Sequence, residues 1–369
     1  TLNFLVKCSF LSLFSVGVIS GLEAKNLDNL KLAPKLPKTL KDGGLKQLEN
    51  EPGYLPPNPI TRKPPRYPHR PARKAQDGMV EVAFMVNEQG KVFEAIVTDS
   101  THTDFEESAL KAVNNYIYEP AKIDGKPIKS SNSIRLNFSM ANSQDAAGRL
   151  FFKLYKRVDK ELNQKQPDQQ GIRRNLDRMY DAEFLTNYAL AYLFLIEYRF
   201  ASKFSSKNEQ LYSLRKLLLF ENKIGDKNQF LDKEVTKSIR MNILQLLIQL
   251  GYYGEARSNY YWLKKEIPDA AKPFKSAMSK VYKKLGNGEV ITRPIKIHKR
   301  GYEFLYLTKR SFEIDIIEGK IEKLNFHCTR NFGTMTFKPE SNYRIPTNWG
   351  RCDLQIVGEP NTTATLYQL

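Results

Sequence analysis

The side chains able to do chemistry are few and scattered. The four histidines are His69, His102, His298 and His327. None stands at metal-ligand spacing from another, and His69 and His298 lie among basic residues, which disfavour a bound cation. Glu106 and Glu107 are adjacent carboxylates, but they fall in the first turn of a predicted helix, where negative charge complements the helix dipole. There is no glycine-rich phosphate loop and no nucleophile elbow. The chain therefore reads as a non-enzyme with no cofactor and no metal. Beyond Cys8 the only cysteines are Cys328 and Cys352. An oxidising compartment would pair them, and the closed loop would stabilise by about 3.5 kcal/mol in the chain-entropy model. The alternative is two buried, unpaired thiols. Zinc would need more ligands than the neighbouring His327 adds. Asn361-Thr362-Thr363 matches a glycosylation sequon and reads most simply as a polar turn.

Backbone groups are the other source of chemistry. A small sheet leaves unpaired N–H and C=O groups along its edges, where an extended peptide can dock. Residues 79–140 carry the pattern of such a sheet. Met79–Asn87 alternates, with Val80, Val82, Phe84 and Val86 on one face. Asn87-Glu88-Gln89-Gly90 predicts a hairpin loop and Lys91–Asp99 the return strand. Phe105, Ala109, Ala112, Val113 and Tyr116 recur at helical spacing. Thr103 or Asp104 is the candidate cap, and Glu119-Pro120 the stop. Asp124-Gly125 predicts a turn, and Ser133–Met140 a further alternating strand. The order β-β-α-β gives a small antiparallel sheet with one helix on its face.

Several short motifs lie on these elements in a fixed order. PPRYP stands at Pro64–Pro68, GMVEVAFMVNEQGKV at Gly78–Val92, FEESALKAVNNYIYEPA at Phe105–Ala121 and DGKPI at Asp124–Ile128. Together they resemble the TonB C-terminal domain family over about residues 62–141, a fifth of the chain. The resemblance implies a domain that grips an extended segment of an outer-membrane TonB-dependent receptor along its last strand. Carried over, the partner strand lies along Asn132, Ser133, Ile134, Arg135, Leu136, Asn137 and Phe138, with Pro65, Arg66 and Tyr67 beside it. The alternative is an edge strand kept soluble by Ser133, Arg135 and Asn137. The family's energy transducers also carry an N-terminal helix, with a His among small polar residues, that meets an inner-membrane ExbB–ExbD-type motor. Thr1–Ala24 has no His.

The rest of the chain changes character twice. Residues 145–288 read as helical, with dense apolar runs at Phe184–Tyr198, Leu211–Phe220 and Ile239–Leu250. Gly251-Tyr252-Tyr253-Gly254-Glu255-Ala256, then Tyr260 and Pro268, resembles the second half of a tetratricopeptide repeat. A helical-repeat array is expected, with an irregular helical domain as the alternative. Residues 290–369 switch to strand patterns at 312–316, 320–326, 334–337, 354–357 and 364–367, an all-β module stapled by Cys328–Cys352. The fold class expected is α+β multidomain: a TonB-type β-β-α-β domain, a TPR-like α-helical array, then a small all-β module.

The N-terminus sets the compartment. Lys7 precedes an uncharged, mostly apolar run from Cys8 to Leu22, and Leu22-Glu23-Ala24 ends on a small residue. Residues 1–24 thus predict a secretory signal peptide cleaved after Ala24, or an uncleaved membrane anchor if Leu2–Lys7 are drawn in. Residues 25–61 read as a linker rich in proline and lysine. Ten of the 19 prolines fall between Pro34 and Pro71, and twelve Lys or Arg face five Asp or Glu between Lys25 and Gly78. Such a segment is extended and semi-rigid. The net charge of +18 would suggest nucleic acid in the cytosol. In the periplasm it suggests anionic envelope partners, or solubility alone. The expected partners are a receptor or other envelope proteins, and the motor only if residues 1–24 stay. A soluble periplasmic adaptor without energy transduction is the second reading.

Overall fold

The computed structural model describes residues 5–7, 53–140, 146–221, 231 and 233–369. The predicted signal peptide or anchor, apart from β1 (Leu5–Lys7), and the linker over residues 25–52 lie outside the described residues.

The first sheet is antiparallel, with strand order β5-β4-β9: β4 is Gly78–Val86, β5 Val92–Ser100 and β9 Ser130–Phe138. The alternation in β4 sends Val80, Val82, Phe84 and Val86 into one core with Phe105, Leu136 and Phe138. Helix α2 (Glu106–Val113) closes that core with Ala109 and Val113. Gly90 turns the β4–β5 hairpin at φ +77°, and a Cβ there would lie 1.8 Å from the Tyr118 carbonyl oxygen. Only glycine fits both demands.

Three local expectations are corrected. The helix ends at Val113 instead of at Pro120, and Ile117–Glu119 is a strand, β6. Asn114 and Asn115 compete with the helix for its own backbone groups, and the Asn115 amide donates to the Lys111 carbonyl at 2.7 Å. The cap is neither Thr103 nor Asp104. His102 takes that role, its Nδ1 accepting from the Asp104 N–H at 3.1 Å above a 3₁₀ turn over Thr103–Phe105. The linker also stops short of residue 61. Tyr54–Leu55 (β2) pairs with β7 (Ala121–Ile123), and Asn58–Thr61 (β3) pairs with β6. Pro59 is tolerated because β3 is an edge strand. Short helix α1 (His69–Arg73) follows, and β8 (Lys126–Ile128) pairs with β7 around the Asp124-Gly125 turn.

Strand β10 (Ala146–Gly148) pairs with β1 and leads into the helices. These are α3 (Arg149–Leu162), α4 (Gln169–Tyr180), α5 (Asn187–Phe204), α6 (Lys207–Leu218), α7 (Lys233–Leu250), α8 (Tyr253–Glu266), α9 (Pro268–Ala271) and α10 (Lys275–Gly286). Consecutive helices pack as α3·α4, α5·α6 and α7·α8, and α6 packs on α7, so hairpins stack along one continuous core. Gly251 ends α7 at φ +77°. Tyr252 N–H reaches Leu247 O and Gly251 N–H reaches Ile248 O, a Schellman closure. Ala256 is fully buried and Pro268 opens α9.

Residues 291–369 form two antiparallel four-stranded sheets face to face. One has order β11-β18-β13-β16: Ile291–Lys296, Thr363–Gln368, Ser311–Glu318 and Tyr343–Arg344. The other has order β12-β17-β14-β15: Tyr302–Tyr306, Cys352–Gly358, Ile321–Cys328 and Phe332–Thr336. Leu305, Phe312, Leu324, Phe326, Leu354 and Leu366 fill the space between them. Cys328 and Cys352 are bonded and stand directly opposite in the β14–β17 register.

Candidate functional site

Among the described residues, strand β9 pairs with β4 on one side only and is an outer strand of the first sheet. Ile134, Leu136 and Phe138 point to the α2 core, while Ser133, Arg135 and Asn137 are exposed on the other side of the pleat. The opposite side does not face open water throughout. Arg135 donates to the Glu221 carbonyl at 2.8 Å, and Asn137 Oδ1 accepts from the Asn187 amide at 2.7 Å. Asn132 is half-buried, and its side-chain oxygen accepts from the Ser133 N–H at 2.8 Å.

Of the Pro65-Arg66-Tyr67 segment, the structure brings Tyr67 to β9. Its ring stands edge-on to Phe138 and Phe105, at 6.1 and 5.9 Å. Its hydroxyl donates to Gln76 O at 2.6 Å. Arg66 is exposed, with its carbonyl accepting from Ser108, and Pro65 is half-buried. Asp77 fixes the end of the strand. Its Oδ1 accepts from Met140 N–H at 3.0 Å, and its Oδ2 accepts from Asn187 N–H at 3.1 Å, in the first turn of α5. A carboxylate at a helix N-terminus is stabilised by the helix dipole. Asp77 therefore ties β9, Tyr67 and the helices to one point. Sequence reasoning missed it, because nothing local marks a loop aspartate as buried.

Sequence reasoning also missed what covers the second face of the sheet. Met79, Ala83 and Met85 are buried although they alternate with the α2-facing residues. Met79 joins the core of the helices, and the sheet β12-β17-β14-β15 lies with its outer side against the rest of that face. Tyr302 donates to Val97 O at 2.6 Å, and Phe332 stands edge-on to Phe93 at 5.5 Å. That outer side carries a buried polar layer. Thr334 donates to Asn325 Oδ1 at 2.7 Å, Asn325 donates to Gln355 Oε1 at 2.9 Å, and His327 Nε2 lies 3.2 Å from the same oxygen. Burial lowers the His327 pKa, against the hydrogen bond to Gln355. Of the other histidines, His69 lies in α1, His102 caps, and His298 Nε2 is 3.4 Å from Glu303 Oε2.

Charged groups join the three regions. Arg300 forms a two-point contact with Glu106, with Nε to Oε2 at 3.1 Å. Lys216 binds Asp99 and donates to Ser100 O at 2.7 Å. Deeper in, Arg293 meets Glu255 at 2.5 Å, and Arg215 reaches the same carboxylate at 3.3 Å. Glu303 lies beside this group, and burial pushes its carboxyl up to about 7 although Arg293 and Arg215 pull it down. A carboxyl raised in the fold favours folding below its unfolded value near 4.5 and loses that contribution as pH rises through 7. Glu303→Gln is therefore expected to exceed the parent in stability at pH 8 by about 2 kcal/mol, discounted for partial exposure, and to match it at pH 4.5. Urea unfolding at both values checks this. A gap that does not widen with pH would show the carboxyl to be ionised in the fold.

A three-stranded antiparallel sheet with one helix on its face and an outer strand that, among the described residues, pairs on one side defines a small α+β domain. Residues 63–140 match the family model described as Gram-negative bacterial TonB protein C-terminal, so the chain carries a TonB C-terminal domain there. Among solved structures, the solution NMR structure of the Pseudomonas aeruginosa TonB C-terminal domain is similar at 21% identity. The match covers 26% of this chain and 93% of that chain, with a TM-score of 0.21. No curated protein matches the chain. TonB C-terminal domains are periplasmic in Gram-negative bacteria. Among the described residues no helix is long and apolar enough to cross a membrane.

Proposed function

We propose that this is a periplasmic TonB-like binding protein of TonB-dependent transmembrane transport, which takes an extended segment of an outer-membrane receptor as an added strand along β9. TonB-family domains interact with outer-membrane receptors and other envelope proteins. The observation that carries the reading is the one-sided pairing of β9, whose only strand partner among the described residues is β4. An added strand would take its hydrogen bonds from alternate backbone groups of Asn132–Phe138, with Pro65, Arg66 and Tyr67 at its end. The helical hairpins offer a further surface for envelope proteins, in the manner of tetratricopeptide arrays. Coupling to an inner-membrane motor needs residues 1–24 as an anchor.

Hydrogen exchange on the full chain tests the strand addition. The probe is a synthetic peptide of the periplasmic N-terminal segment of a TonB-dependent receptor. At ten times its Kd, the peptide is expected to slow exchange about tenfold at alternate amides between Asn132 and Phe138. Amides of β5, on the other edge, are expected to stay unchanged. Protection confined to β5 or the helices, or no binding at millimolar peptide, would sink the reading.

A further inference from the structure

The solvent face of α3 carries Arg149, Lys153, Lys156, Arg157 and Lys160, all exposed. Their spacing of four, three, one and three residues puts them on one side of the helix, a stripe about 16 Å long at 1.5 Å per residue. No acidic residue interrupts it. Asp159 points elsewhere and pairs with Arg199. Among the described residues, Lys153, Arg157 and Lys160 have no carboxylate within ion-pair distance.

Helix stability does not account for the stripe. Like charges three and four apart repel, and a cation in the first turn opposes the helix dipole. The first turn of α3 holds no acidic residue. The stripe continues across an open groove of about 540 Å³ to Arg174 and Arg178 of α4. Of the groove's two carboxylates, Glu161 is engaged with backbone, while Asp168 binds backbone and also pairs with Arg174 at 3.9 Å. Glu161 accepts from Asp168 N–H at 3.0 Å, and Asp168 accepts from Gly171 N–H at 2.9 Å. Apolar groups flank the charges. Leu150 is 48% exposed, and the Lys156 ammonium lies 4.3 Å from the centre of the half-buried Phe152 ring.

We propose that the α3–α4 face docks on a phosphate-bearing anionic lipid surface of the envelope. Guanidinium forks match phosphate oxygens, and lysines add attraction as point charges. Leu150 and Phe152 suit the boundary between headgroups and acyl chains, which an acidic protein or a nucleic acid does not offer. The long, single-sign stripe fits an extended charged plane better than one small anion. The proposal is independent of what β9 binds.

The test is co-sedimentation of the full chain with vesicles of phosphatidylglycerol and phosphatidylcholine in equal parts, against vesicles of phosphatidylcholine alone. The parent is expected to prefer the anionic vesicles about tenfold or more, and to be released by salt. The triple variant K153E/K156E/K160E, at exposed positions, is expected to keep its circular dichroism spectrum and lose that preference. Equal binding to both vesicle types overturns the proposal. So does an undiminished preference in the triple variant, which would place the contact on other residues such as the apolar N-terminus. Tighter binding to poly-glutamate than to the anionic vesicles would assign the face to an acidic protein instead.

Discussion

Replacing Arg293 by Met is expected to destabilise the protein by about 3–5 kcal/mol, because it leaves a buried carboxylate without its main counter-charge. Arg293 is 5% exposed and Glu255 is 8% exposed. The two meet at 2.5 Å, and the guanidinium also lies 4.4 Å from the centre of the Tyr252 ring. Burial works against the Arg293 charge, and Glu255 beside it holds the proton on. After the substitution Arg215, itself partly exposed, would be the one cation left in ion-pair distance of Glu255 among the described residues. The pair joins α8 to β11, so the loss falls on the seam between the helices and the β-sandwich. Replacing both charges by apolar groups, Arg293→Met with Glu255→Leu, is expected to recover most of the loss, since desolvation offsets much of a buried pair's attraction. Urea unfolding at pH 7 measures all three variants. Single and double variants that lose the same amount would show that packing, not the uncompensated charge, sets the cost.

The seam explains which parts of the fold were legible in the sequence. Strand β4 was legible because its α2-facing residues alternate, and Gly251 because a helix end at positive φ selects glycine. The Cys328–Cys352 pair was legible once the compartment was read, since no other cysteines remained. The short elements β3 and β6 were not. Among the described residues β3 pairs only with β6, which adds a single bridge from Ile117 to Lys91, and proline and helix-like spacing masked both. The edge proposed to bind was singled out only through the resemblance: Ser133, Arg135 and Asn137 look like any solvated strand face. Its setting was not legible at all. Asn137 contacts Asn187, and Arg135 reaches Glu221. Partners 50 and 86 positions away leave no local pattern. The same holds for Asn325, His327 and Gln355. They read as the polar outside of a sandwich and instead lie buried against a second sheet.

That burial gives the disulfide a consequence beyond its own module. Converting Cys328 and Cys352 to Ala is expected to cost about 3.5 kcal/mol, the loop-closure entropy returned to the unfolded chain across a separation of 24 residues. The bond pins the one end of β14 and β17 where their register is set. Further along the same two strands, Asn325, His327 and Gln355 form the polar layer that lies over the TonB-type sheet. Looser pairing of β14 with β17 would break that layer, and unpaired buried polar groups are costly. The expected signature is therefore twofold. The double-alanine variant unfolds at lower urea, and amides of β4 exchange faster although no residue of the TonB-type domain has changed. Reductant is expected to shift the parent toward the variant and to leave the variant where it is. If β4 exchange is unaltered while the sandwich alone weakens, the two sheets are stabilised separately and the polar layer does not couple them. If it accelerates, the sandwich supports the sheet to which β9 belongs, and the disulfide stabilises that sheet from a separate module.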